Sequence, residues 1–180
     1  MPTYRLKNDK KDMSINPYTK EEMDRIQKVA DNNDKMEEFF KGNREAWSKK
    51  VEPLFQSLTI DMNNPESAKR VFESQTLALT YRQEISDSIS YFLTKRGKEQ
   101  TKLNRVRQDK IIYYATGFPV KMGSTQQQAH LIEAHLSENE RSVKMIETYI
   151  EFMRDTAKNL ESLSFAIKNK IELMNYLGRL

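Results

Sequence analysis

The chain has 180 residues and no cysteine, with 37% hydrophobic against 31% charged residues. That excludes disulfides, thiolate catalysis and Cys-ligated zinc, and leaves too little apolar mass for a thick globular core. The formal net charge is only +4, so attraction to a polyanion has to come from local clusters of Lys and Arg.

Five glycines and five prolines leave few turns and point to a small number of long helices, each needing one apolar stripe. Residues 1–18 are polar, carry Pro2 and Pro17, show no periodicity and read as a flexible arm without a signal peptide. No apolar run approaches the roughly 18 residues of a membrane span, so the expectation is a soluble, cytoplasmic protein that avoids membranes.

Residues 19–64 read as an N-terminal helical extension. Thr19 and Glu22 form a capping box, and Met23, Ile26 and Ala30 follow at helical spacing. Asp31-Asn32-Asn33-Asp34 should interrupt this short helix. A second stripe then runs through Met36, Phe40, Trp47, Val51, Phe55 and Leu58, with Gly42 and Pro53 as weak points.

Asn64-Pro65 places a good N-cap before a proline at the first helical position, and residues 65–180 are expected to form a long antiparallel helical hairpin. The first arm carries Phe72, Ala78, Tyr81, Ile85, Ile89 and Phe92. Its stripe thins after Gly97 and resumes at Leu103 and Val106. Two glycines and a proline within residues 116–123 mark the reversal.

Ser124 and Gln127 cap the second arm, which meets no Gly or Pro until Gly178, allowing about 50 helical residues or roughly 75 Å. Along it Ile146, Ile150, Met153, Leu160, Ile167 and Ile171 make a regular seam. Tyr149, Phe152 and Phe165 are left over, to be covered by the N-terminal helices or by other copies of the chain. The predicted fold is therefore all-α, with smaller N-terminal helices beside the hairpin, self-associating through that seam.

No catalytic pattern emerges. Gly97-Lys98 lacks the earlier glycine and the following Ser or Thr of a phosphate loop, since Phe92 and Glu99 stand there. His130 and His135 lie about 140° apart around a helix and share no metal-facing side. Glu133, Glu138 and Glu140 read as a solvated face. No metal, cofactor or enzymatic activity is expected.

Residues 95–110 carry the strongest local signal. Lys95, Arg96, Lys98, Lys102, Arg105, Arg107 and Lys110 face only Glu99 and Asp109, a local excess of five positive charges. The run leads into Tyr113 and Tyr114. Such cations neutralise phosphates, and aromatic rings stack on unpaired bases without demanding a sequence. A solvated basic face whose tyrosines belong to the core is the competing reading.

Residues 70–177 resemble the UvsY family of tailed-phage recombination mediators. The likeness lies in a helical run with Lys98, Gln100, Lys102, Gln108 and Lys110, then Tyr113-Tyr114 with Gly117 close behind, and a closing helix bearing Phe165-Ala166-Ile167-Lys168. The family's paired basic positions before the aromatics fall here on Gln108 and Lys110, with Arg107 adjacent. The resemblance implies a ring-like homo-oligomer in the host cytoplasm that binds single-stranded DNA and helps a recombinase replace a single-strand-binding protein. The alternative is a helical scaffold or virion-assembly protein acting through coiled-coil contacts.

Overall fold

A computed structural model describes residues 18–60, 65–118 and 124–178. The chain is all-α, with three long helices and no strand among the described residues: α1 (Lys20–Gln56), α2 (Pro65–Ile112) and α3 (Thr125–Leu177). A 3₁₀ turn (Ser57–Thr59) follows α1, and a π-turn (Tyr113–Gly117) ends α2. Residues 1–17 of the arm, the Asn64 cap and the loop centre at 119–123 lie outside the described residues.

Local chemistry explains the helix ends. The Thr19 hydroxyl accepts from the Glu22 backbone N–H at 3.2 Å, and a Glu22 carboxylate oxygen accepts from the Thr19 N–H at 2.9 Å. The Ser124 hydroxyl accepts from the Gln127 N–H at 3.2 Å. Three N-terminal donors that the helices cannot pair internally are thus satisfied. At its other end α1 survives Pro53 by only three residues before tightening, because proline removes one backbone donor and crowds the preceding turn.

The N-terminal region is one 37-residue helix, where sequence reading expected two. The Asp31-Asn32-Asn33-Asp34 run costs some helix propensity, but tertiary bonding offsets that cost. Asn33 is fully buried, its amide donating to the Glu138 backbone carbonyl at 2.8 Å and to the Glu138 carboxylate at 2.9 Å, while its oxygen accepts from the Ser142 hydroxyl.

The chain divides into two compact units, one taking the residues up to Lys35 with Thr101–Ser142, the other Met36–Gln100 with Val143–Leu180. Each draws on all three helices. In the first, Tyr114 meets His135 and Arg107 meets Glu140, so α2 and α3 run antiparallel. In the second, Arg96–Glu147 and Arg82–Glu161 give the same sense. There Phe40 stacks on Tyr149, and Lys170 reaches the Leu58 carbonyl, so α1 runs parallel to α3.

The core of the second unit repeats every seven residues. Val71, Ala78, Ile85 and Phe92 on α2 face Ile146, Met153, Leu160 and Ile167 on α3, with Phe40 and Leu54 from α1. That is the knobs-into-holes spacing of packed helices. Phe40, Phe92 and Tyr149 form its aromatic centre, with Phe40 and Tyr149 stacked at 4.4 Å and Phe92 edge-on to both.

The sequence-predicted oligomerisation seam needs correction. Ile146, Ile150, Met153, Leu160 and Ile167 are buried in the chain's own core, and Ile171 packs against it. α1 and α2 already cover this stripe, so it has little apolar surface left for a second copy. Of the leftover aromatics, α1 covers Tyr149 and partly Phe152, where the Arg44 guanidinium lies 5.6 Å from the ring centre. Phe165 stays exposed.

Candidate nucleic-acid interface

The basic run lies on α2 as an unbroken helix through Gly97, and its residues have different environments. Lys95, Arg96 and Lys98 belong to the second unit. Lys95 is half-buried with its ammonium 6.0 Å from the centre of the Phe92 ring, Arg96 pairs with Glu147 at 2.6 Å, and Lys98 is exposed. Lys102, Arg105, Arg107 and Lys110 belong to the first unit. Lys102 and Arg105 are exposed, Arg107 pairs with Glu140 at 2.8 Å, and Lys110 pairs with Glu22.

Burial decides which pairs matter. The Arg96–Glu147 and Arg107–Glu140 side chains are each close to half exposed, where an ion pair contributes only about 0–1 kcal/mol. A phosphate oxygen can compete there. Lys110 is different: its side chain is 15% exposed and its Glu22 partner 19%, so it is committed to the fold. Burial pushes the Glu22 carboxyl up, but its hydrogen bonds from Lys110 and the Thr19 N–H, with the Lys110 charge, hold it below its ordinary value of 4.5.

The tyrosines divide as well. Tyr114 is buried, and its hydroxyl shares a 2.6 Å hydrogen bond with His135 Nε2. It is part of the core, which corrects its assignment to base stacking. The Tyr18 ring packs on the other partner, His135, at 4.3 Å. Burial, and then the nearby Lys110 charge, push His135 down to about 4 against the opposing pull of Glu22, so the imidazole is neutral at neutral pH. Tyr113 is half-buried, edge-on to Tyr114 and 5.5 Å from the Lys110 ammonium.

Tyr113 opens onto a cleft of about 580 Å³ between α1, α2 and α3 of the first unit. Ile26, Val29, Val106 and Tyr113 wall it, and buried His135 lies at its floor. Exposed Arg25 and Lys28 from α1 and Asp109 from α2 stand at its rim. Lys102 lies one turn before Val106 and Arg105 one turn before Asp109, on the same faces of α2. The volume falls within the range of about 300–1,000 Å³ common for organic-ligand sites.

Sequence reading missed Arg25 and Lys28. Nothing local distinguishes them from other solvated charges on α1, and it is folding, as in the Glu22–Lys110 contact, that places that turn beside Tyr113. One of the three acids read as solvated is partly buried: Glu138 accepts from Asn33 and approaches Arg141 at 3.6 Å, whereas Glu133 and Glu140 are exposed. His130 is exposed and 3.6 Å from Glu133.

Among the described residues no group of three or more His, Cys, Asp or Glu is placed to hold a metal, and no helix is long and apolar enough to cross a membrane. The chain matches no protein-family model, no curated protein and no solved structure.

Proposed function

We propose that this chain binds single-stranded DNA as a recombination mediator, helping a recombinase replace single-strand-binding protein on the strand. Binding is supported by one arrangement within one unit: exposed Arg25 and Lys28 on α1 border a cleft walled in part by Tyr113, and exposed Lys102 and Arg105 lie one turn before its α2 lining residues Val106 and Asp109. Cations on both helices offer a flexible polyanion several phosphate contacts, while Tyr113 offers a ring to its bases. The mediator role rests on the sequence resemblance over residues 70–177. It asks the protein to hold macromolecules and make no bonds.

A mediator of this kind works as a homo-oligomer, in which weak sites combine through avidity. Candidates for that contact in the second unit are Phe72 and Leu79 on α2 and Phe165 and Tyr176 on α3, all at least half exposed. The same residues favour the second reading, a helical scaffold whose partner is another protein and whose basic run is incidental.

Fluorescence anisotropy with a labelled oligonucleotide, single-stranded against duplex across a salt series, separates the two. With three or four phosphates neutralised per copy, log affinity should fall against log salt with a slope of roughly −2 to −3. Arg25→Ala with Lys28→Ala should weaken binding several-fold. Absence of salt-dependent strand binding would leave the scaffold reading in its place.

A further inference from the structure

We infer that the cleft of the first unit receives an unstacked base of the bound strand, with the adjoining phosphates on Arg25 and Lys28. This rests on the strand binding proposed above. A site built only for phosphate would leave the walls of Ile26, Val29, Val106 and Tyr113 uncovered. A purely apolar ligand would make no use of the two rim cations. A flat body with hydrogen-bonding edges and a phosphate attached satisfies both, which is the chemistry of a nucleotide in a single strand.

Polar groups within the cleft fit the same occupant. Asn32 and Asn139 line it from α1 and α3, and their amides both donate and accept, as base edges do. The His135 Nε2 is already engaged by Tyr114, so the buried end of the cleft is held in place. Tyr113 supplies the stacking face, and the Lys110–Glu22 pair beside it ties α2 to α1. Asp109 is the exposed carboxylate of the rim, set against Arg25 and Lys28. The phosphates adjoining the inserted base are thus drawn toward α1 and away from Asp109.

The test uses the full chain and an oligonucleotide carrying a single 2-aminopurine flanked by abasic positions, so that the probe starts unstacked and its emission falls when it stacks on a ring. Binding should quench it. Val106→Trp and Ile26→Trp, on different helices, each place a bulky indole where the inserted base would lie, and circular dichroism reports whether they fold. Each should abolish the quench and weaken an intact strand about tenfold, as expected for loss of a stacked base, while an abasic strand binds within about twofold of wild type.

Wild-type binding with unchanged 2-aminopurine emission, or equal affinity for intact and abasic strands, would overturn base insertion and leave strand binding standing. No binding by either strand would overturn both. The wild-type emission decides the question even if neither filled variant folds.

Discussion

Lowering the pH from 7 to 5 should destabilise the first unit through His135, and the size of the loss follows from its surroundings. The imidazole is 3% exposed, bonded to Tyr114, and titrates at about 4 against an ordinary 6.5. Between those values the unfolded chain binds a proton that the folded chain refuses, so stability rises with pH across that window. The contribution is fully present above 6.5 and is lost as pH falls toward about 4. The whole effect is about 3 kcal/mol, of which about 2 kcal/mol disappears between pH 7 and 5. Glu22, held below its ordinary 4.5, loses its contribution only below that value, so the window isolates the histidine. Urea unfolding followed by far-UV circular dichroism should show the midpoint falling by about 1 M over this range. His135→Gln keeps a partner for the Tyr114 hydroxyl and removes the titration, so its midpoint should stay nearly level. Parallel pH dependence in the variant and the wild type would refute the reasoning.

Asn33→Leu should cost about 1–3 kcal/mol, since the Asn33 bonds to Glu138 and from Ser142 are lost and only the Ser142 hydroxyl bond to the Glu138 carbonyl remains; thermal unfolding measures it, and a more stable variant would contradict the account of α1. Phe165→Asp combined with Leu79→Asp should convert an oligomer to a monomer in light scattering while leaving helicity intact, because both side chains are exposed. An unchanged mass would remove these residues as the contact between copies.

Much of the fold is legible in local chemistry. The capping residues Thr19 and Ser124, Pro65, and the breakers around Gly117 mark helix ends that the structure keeps. The seam of α3 is legible too, from its spacing. Its partner is not: spacing shows that Ile146 and Leu160 must be covered, without saying whether α1 or a second copy covers them. The same limit governs the candidate interface. Charge clustering identifies a basic stretch, but Glu22, eighty-eight positions from Lys110, pairs with it only after folding. Aromatic character marks Tyr113 and Tyr114 alike, yet His135 claims one and the cleft the other. Asn33 looks like a helix breaker because propensity is local and its hydrogen bonds are not.

A ladder of sevens has a weakness: rungs of similar size can engage again after one helix slides by a whole repeat, roughly 10.5 Å. In the second unit such a slide of α1 along α3 would still bring Phe40, Trp47 or Leu54 against aliphatic neighbours. It would not keep the Lys170 ammonium on the Leu58 and Ile60 carbonyls, where it now meets acceptors left unpaired as α1 ends. That lysine, like Asn33 nearer the start of α1, makes the native alignment distinguishable from its nearest misaligned competitor at a place where greasy contacts discriminate least.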